Sequence, residues 1–187
     1  MEPERATHRV FFAIWPPRAA ATRLHAAALA AQRDCGGRAM QPENLHLTLA
    51  FLGNVSAARL AEAEAVADGI AAPAFDVELD RLGWWKHNRI LWAGSAALPP
   101  ALGQLADTLG AGLRAAGFAL DARPFALHAT LLRNARCAAP APQLAPPVAW
   151  LVGDFVLAES VPGPDGSRYA VRRRWPLQSP ASGGESA

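Results

Sequence analysis

The feature that most constrains the fold of this chain is a pattern, Leu-His-x-Thr-Leu, that occurs at residues 45–49 and again at residues 127–131, with alanine at the variable position of the second copy. Side chains alternate between the two faces of a β-strand. Each copy therefore places its histidine and threonine on one face and its apolar residues on the other. Both copies predict a strand that packs one face on a core and presents a polar face.

The residues around the two copies predict further helices and strands in an order that resembles a repeat. Helices are predicted where good helix formers run between a cap signal and a glycine or a turn, at residues 18–32, 56–70 and 101–116. Further strands are predicted where β-branched and aromatic residues cluster, at residues 10–15, 75–82, 89–93, 150–160 and 169–175. The expected fold class is α+β and bilobal, with two pseudo-symmetric antiparallel-sheet lobes, helices on the outside and a central cleft.

The chain of 187 residues has the length of one domain. Residues 1–177 are predicted to form a single bilobal domain and residues 178–187 a small, polar, disordered tail. Prolines predict a loop at residues 138–147 and a turn at residues 162–166. No apolar run approaches the roughly 18 residues that span a bilayer, and the N-terminus lacks the apolar core of a signal peptide. The sequence therefore predicts a cytoplasmic protein that does not enter membranes.

Cysteine spacing and net charge exclude some classes of site. Cys35 and Cys137 are far apart and belong to no Cys-x-x-Cys pair, so they are expected to be reduced thiols. The formal net charge of +2 is too small to surround the protein with positive potential. An anionic partner must therefore be held by a local cluster of basic residues.

The repeated histidine and threonine indicate acid–base chemistry on a phosphate. A single histidine on a strand is more often a structural residue, but two matching strands that face one cleft bring together His46, His128, Thr48 and Thr130. Histidine has a pKa of about 6.5, so one imidazole can take a proton from water while the other protonates a leaving alkoxide. The threonine hydroxyls can donate hydrogen bonds to the phosphate oxygens.

Other basic and aromatic residues have two interpretations each. Arg133 either adds positive charge to the site or is a solvated residue at a strand end. Trp85 belongs to a basic aromatic cluster that either stacks on a base or packs in the protein; its other members are Trp84, Lys86, His87 and Arg89. Residues 172–174, all arginine, either follow an RNA backbone or form a solvated face. No chemistry is assigned to His8, His25 or His87.

Paired His-x-Thr motifs in this order resemble the two-histidine phosphoesterase superfamily, and in particular its RNA 2′,3′-cyclic phosphodiesterase branch, which is also described as 2′-5′ RNA ligase-like. The resemblance rests on residues 9–14, 44–53, 124–133, 159–160 and 175–177. It implies an RNA substrate with a 2′,3′-cyclic phosphate end, which is hydrolysed to a 2′-phosphomonoester. It also implies that His46 is the proton donor and His128 the proton acceptor, without a metal or other cofactor. Trp84 and Trp85 depart from the family, which tends to have phenylalanine there.

Alternatives remain open at this point. A metal-dependent enzyme is disfavoured because the chain has no His-Glu-x-x-His motif and no carboxylate in either His-x-Thr motif. An ATP-driven ligase is disfavoured because there is no P-loop. Two alternatives are also compatible with the motifs. The chain could be a non-catalytic module that binds RNA ends, or the same histidines could catalyse reversible 2′-5′ RNA ligation. No obligatory protein partner is indicated.

Overall fold

The computed structural model describes residues 7–138, 143–163 and 167–179. Within these ranges the chain forms helices and strands in an order close to the predicted one. The helices are α1 (Arg18–Cys35), α2 (Ala57–Asp68) and α3 (Pro100–Ala115), with a short 3-10 helix at Pro42–Asn44. The strands are β1 (Thr7–Ile14), β2 (Arg38–Ala39), β3 (Leu47–Ser56), β4 (Phe75–Trp85), β5 (Ile90–Gly94), β6 (His128–Arg133), β7 (Gln143–Val152), β8 (Asp154–Val161) and β9 (Arg168–Pro176).

The strands form one antiparallel sheet in the order β7-β4-β5-β6-β3-β1-β8-β9, with β2 paired to β6. The two strands that follow from the repeated pattern, β3 and β6, are neighbours in the middle of this order. Of the eight strands in this order, four lie on the β6 side and four on the β3 side, counting these two, and β2 is a fifth strand on the β6 side. The predicted α+β class with antiparallel strands is confirmed, and the division into two pseudo-symmetric lobes stays a prediction.

The helices begin, end and pack as their local sequence dictates. Ser56 caps α2 by accepting a hydrogen bond from the backbone amide of Arg59. Gly117 follows α3 with a φ of +79°, a left-handed conformation that favours glycine and ends the helix. The buried leucines of α3 recur at helical spacing and pack in the main core: Leu102, Leu105, Leu109 and Leu113. No helix in the described ranges is both long and apolar enough to cross a membrane.

Two predictions about the strands near the C-terminus were wrong. Residues 143–147 belong to β7 and not to a loop, and the prolines are tolerated there because β7 is the edge strand of the sheet. The single strand predicted at residues 150–160 is divided at Gly153 into β7 and β8, which pair with β4 and β1 respectively. Local strand propensity does not show where one strand ends and the next begins to pair with a different strand. The rest of the predicted loop, residues 139–142, and residues 164–166 of the predicted turn lie outside the described residues.

The predicted tail begins too early. Gln178 accepts a hydrogen bond from the Ala74 amide at 2.7 Å and donates one to the Ala72 carbonyl at 2.9 Å. The chain at this position is therefore held against the segment that precedes β4. Residues 180–187, the remainder of the predicted tail, lie outside the described residues.

The prediction of two reduced thiols was also wrong. Cys35, the last residue of α1, forms a disulfide with Cys137 in the segment that follows β6. The backbone amide of Arg136 also donates a hydrogen bond to the Cys35 carbonyl at 2.8 Å. The two cysteines are 102 residues apart in sequence, and spacing along the chain carries no information about this proximity.

Candidate active site

The pairing of β3 with β6 brings the two copies of the pattern side by side. Leu47 pairs with Ala129, and both are buried. Because the strands are antiparallel, one step along this register puts the histidine of each copy opposite the threonine of the other, as directly opposed cross-strand neighbours. The cross-strand neighbours on this face are His46 with Thr130, and His128 with Thr48. The predicted grouping of four polar side chains follows directly from this register.

The two imidazoles are oriented by equivalent hydrogen bonds. His46 Nδ1 lies 2.8 Å from the Asn44 carbonyl oxygen, and His128 Nδ1 lies 2.8 Å from the Ala126 carbonyl oxygen. A carbonyl oxygen can only accept, so Nδ1 carries the proton in both rings. Nε2 of each ring is then left to accept or donate a proton at a substrate.

Three aromatic rings surround His46, and the sequence had not marked any of them as part of a site. Trp15 stacks on the imidazole with ring centroids 5.1 Å apart, while Phe11 and Tyr169 contact it at 4.9 and 5.0 Å. Trp15 is itself held by a hydrogen bond from Nε1 to the Glu43 carbonyl. Phe11 lies in β1 and Trp15 follows that strand; both belong to the apolar run at residues 10–15, which predicts core packing and contains no signal of a contact with histidine.

His128 has a different neighbour. The Trp85 ring meets its imidazole edge-on with centroids 4.6 Å apart, and Trp92 supports Trp85 at 5.5 Å. Trp84, the next residue back, packs against the main core. The predicted basic aromatic cluster is therefore divided: Trp85 lies at the site, and residues 86–89 form an exposed turn.

Burial lowers the pKa of both histidines. Removal from water lowers the pKa of His46 to about 4; its hydrogen bond to the Asn44 carbonyl opposes this shift, and the charge of Arg133 adds to it. Burial likewise lowers the pKa of His128, against a hydrogen bond to the Ala126 carbonyl. At neutral pH both rings are therefore neutral in the free protein. A bound phosphate raises both pKa values, because an opposite charge favours the protonated imidazole.

A cavity of about 1010 Å³ opens beside His46. Thr48 and Arg133 line it as well, whereas His128, Thr130 and Trp85 are not among its lining residues. Three further arginines line it that the sequence had not marked: Arg9, Arg38 and Arg168. Arginine suits the recognition of phosphate oxygens, so the lining of this cavity is suited to an anionic ligand.

The arginines at residues 172–174 and the histidines His8 and His25 bond to other groups of the protein. Each arginine of residues 172–174 pairs with a carboxylate: Glu159, Asp68 and Asp154 in chain order. These pairs fit the solvated-face interpretation. His8 Nδ1 lies 2.7 Å from Glu159, and His25 Nδ1 lies 2.8 Å from the Met40 carbonyl oxygen. In the part of the chain that the structure describes, no group of three or more histidine, cysteine or acidic side chains is placed to hold a metal ion.

Comparison with known proteins identifies similar sequences and structures. Residues 14–92 match the family model described as LigT like Phosphoesterase. The chain is 38% identical over 141 residues to the RNA 2′,3′-cyclic phosphodiesterase of Escherichia coli (strain K12), a match that covers 75% of this chain and 80% of that protein.

Solved structures agree with the sequence match. The crystal structure of E. coli LigT complexed with 3′-AMP superposes with a TM-score of 0.86 at 34% identity, covering 92% of this chain and 99% of that one. The crystal structure of a Thermus thermophilus protein, TT0787, superposes with a TM-score of 0.73 at 29% identity, covering 91% and 98% of the two chains.

Proposed function

Because this chain belongs to the LigT-like phosphoesterase family, we propose that it hydrolyses the 2′,3′-cyclic phosphodiester at an RNA end to a 2′-phosphomonoester. The observation that carries the proposal is the pairing of two His-x-Thr patterns on adjacent strands, with Nε2 of both imidazoles left for a substrate. The E. coli relative is named RNA 2′,3′-cyclic phosphodiesterase, which supports the cyclic-phosphodiesterase part of the proposal. A cytoplasmic location is part of the proposal.

In the proposed reaction the phosphorus lies between the two imidazoles. His128 Nε2 takes a proton from a water molecule, whose oxygen attacks phosphorus on the side opposite the ribose O3′. The bond from phosphorus to O3′ breaks, and His46 Nε2 gives O3′ its proton. The hydroxyls of Thr48 and Thr130 donate hydrogen bonds to the non-bridging oxygens, and Arg133 stabilises the charge that builds up there.

The assignment of His46 as proton donor and His128 as proton acceptor rests on the family resemblance. His46 has the strongly lowered pKa, which in the free protein suits a base rather than an acid. The proposed roles therefore require the bound phosphate to raise the pKa of His46 substantially. With the roles reversed, His128 would protonate the leaving oxygen, and a substrate bound in the opposite sense would yield a 3′-phosphate.

The direct test is turnover of a short RNA that ends in a 2′,3′-cyclic phosphate, in excess EDTA. We expect hydrolysis at an undiminished rate, since protein side chains supply both proton transfers. The product should carry a 2′-phosphate, seen by phosphorus NMR and by resistance to a phosphatase specific for 3′-phosphates.

Each other outcome of this test has a distinct meaning. Loss of turnover in EDTA that one divalent ion restores would contradict metal independence. A product sensitive to the 3′-phosphatase would reverse the roles of the histidines and keep the two-histidine mechanism. Tight binding of the RNA without turnover would identify a non-catalytic module instead of an enzyme.

Thr48→Ala and Thr130→Ala should each lower kcat/KM by about tenfold, because each removes one hydrogen bond to a charged group. The loss is smaller than that from removing a proton-transfer group. Thr22→Ala is the matched control, since its hydroxyl bonds only the Arg18 carbonyl on α1. Serine at either site should restore most of the rate, and an alanine variant with wild-type kcat/KM would remove that threonine from the phosphate site.

A further inference from the structure

The cavity is larger than a terminal cyclic phosphate needs. Its volume of about 1010 Å³ lies at the upper end of the roughly 300–1,000 Å³ typical of small-molecule sites. From His46 it continues along β3 to Phe51 and across to Arg9 on β1. Phe51 is five residues beyond His46 on β3 and pairs with Phe11 of β1, whose ring contacts His46 at 4.9 Å. This arm of the cavity therefore lies beyond Phe11, next to the histidine and not over it.

An irregularity in β3 turns Phe51 into the cavity. Between Phe12 and Ala13 the register of β1 against β3 shifts by one residue, so Leu49 is an extra residue in β3. Strict alternation would place Thr48 and Phe51 on opposite faces of the sheet. With the extra residue, both lie on the cavity face, and both line the cavity.

Phe51 is an exposed ring next to a cation. Its side chain is 47% exposed, although it is a large apolar group within a concave site. The Arg9 guanidinium carbon lies 4.9 Å from the centre of the ring. An exposed aromatic ring next to an arginine is the arrangement by which proteins stack the bases of single-stranded nucleic acids without regard to sequence.

Three of the arginines that line the cavity lack carboxylate partners among the described residues. In that part of the chain, no carboxylate lies within 4.0 Å of Arg9, Arg133 or Arg168. The exposed arginines at residues 172–174, by contrast, are all paired. The positive charge of these three cavity arginines is therefore available to an anion, and its spread over several positions fits a ligand with more than one phosphate.

We propose that Phe51 and Arg9 form a subsite for the nucleotide that precedes the reacting end, so that the preferred substrate is a single-stranded oligonucleotide rather than a mononucleotide. The base of that nucleotide stacks on Phe51, and its phosphate lies among the cavity arginines. This inference rests on the proposed function, because the reacting end must lie at the histidines. Stacking on an aromatic ring does not depend on the identity of the base, so the subsite accepts any base.

The test compares two substrates that share the same reacting group. One is a mononucleoside 2′,3′-cyclic phosphate and the other a tetranucleotide with the same 2′,3′-cyclic end. The wild type should have the higher kcat/KM on the tetranucleotide. Phe51→Ala should lower kcat/KM on the tetranucleotide about tenfold more than on the mononucleotide, since one stacked base is lost. Phe51→Trp should retain the preference, and Arg9→Gln should reduce it.

Matched controls and a binding measurement complete the test. Leu151→Ala removes a side chain that is 59% exposed on β7, outside the cavity, and Arg174→Gln removes a paired arginine; neither should change the preference. Equal effects of Phe51→Ala on both substrates, or none, would overturn the subsite. If the wild type hydrolysed neither substrate, the proposed function would fail. Fluorescence anisotropy with a labelled tetranucleotide ending in a 2′-phosphate would still decide the subsite, because weaker binding by Phe51→Ala supports it and unchanged binding refutes it.

Discussion

His46→Ala and His128→Ala should each lower kcat on a cyclic-phosphate RNA by about 10²–10⁴-fold, the usual contribution of a general acid or base. Each change deletes the Nε2 atom through which a proton is proposed to pass. The double variant should be only slightly slower than either single variant, because the two residues act in one concerted step and their effects do not add. The measurement is kcat under saturating substrate.

The fold should tolerate these changes. Both imidazoles are partly exposed, and each makes one hydrogen bond to a carbonyl in its own segment. His46→Asn and His128→Asn are sharper variants, because asparagine keeps a hydrogen-bond donor but transfers no proton. His8→Ala is the control, since it removes a histidine bonded to Glu159 outside the cavity. A histidine variant that folds and turns over at near the wild-type rate would exclude that residue from the mechanism.

The pH dependence should be bell-shaped, and in kcat/KM both limbs should lie at acidic pH. This parameter reports the free protein, in which burial lowers the pKa of His46 to about 4 and that of His128 below 6.5. One histidine must be protonated and the other neutral, so activity falls tenfold per pH unit below the lower pKa and above the higher one. At pH 8 we expect kcat/KM to be more than tenfold below its maximum.

The limbs in kcat should lie at higher pH than those in kcat/KM. This parameter reports the substrate complex, where the negative phosphate raises the pKa of both histidines. The two apparent pKa values that the limbs report belong to the pair of histidines together, so the order of the limbs does not by itself show which histidine is the acid and which is the base. Arg133→Gln supplies the internal check: it removes a positive charge that lowers the pKa of His46, so the lower limb of kcat/KM should move up. A single sigmoid would contradict the paired-histidine mechanism, and two limbs of kcat/KM above pH 7 would contradict the lowered pKa values of the histidines in the free protein.

Elements whose causes are local could be predicted from the amino-acid sequence. Alternation along a strand predicted that each histidine lies on the face away from its apolar neighbours, and the neighbours Leu47 and Ala129 are buried. The cap at Ser56 and the stop at Gly117 also depend only on residues within one helical turn. The order of the predicted helices and strands indicated the α+β class, and the repeated His-x-Thr pattern led to the hypothesis of one site with two histidines.

Features that depend on residues distant in the sequence could not be predicted, because folding alone brings their partners together. The pairing of β3 with β6, the rings of Trp15 and Tyr169 around His46, and the bond between Cys35 and Cys137 join segments that are far apart in sequence. The pKa of His46 follows from that enclosure, since burial in a folded site is what lowers it. The same holds for the register shift that turns Phe51 into the cavity, because an extra residue in a strand is defined only by the strand against which it pairs.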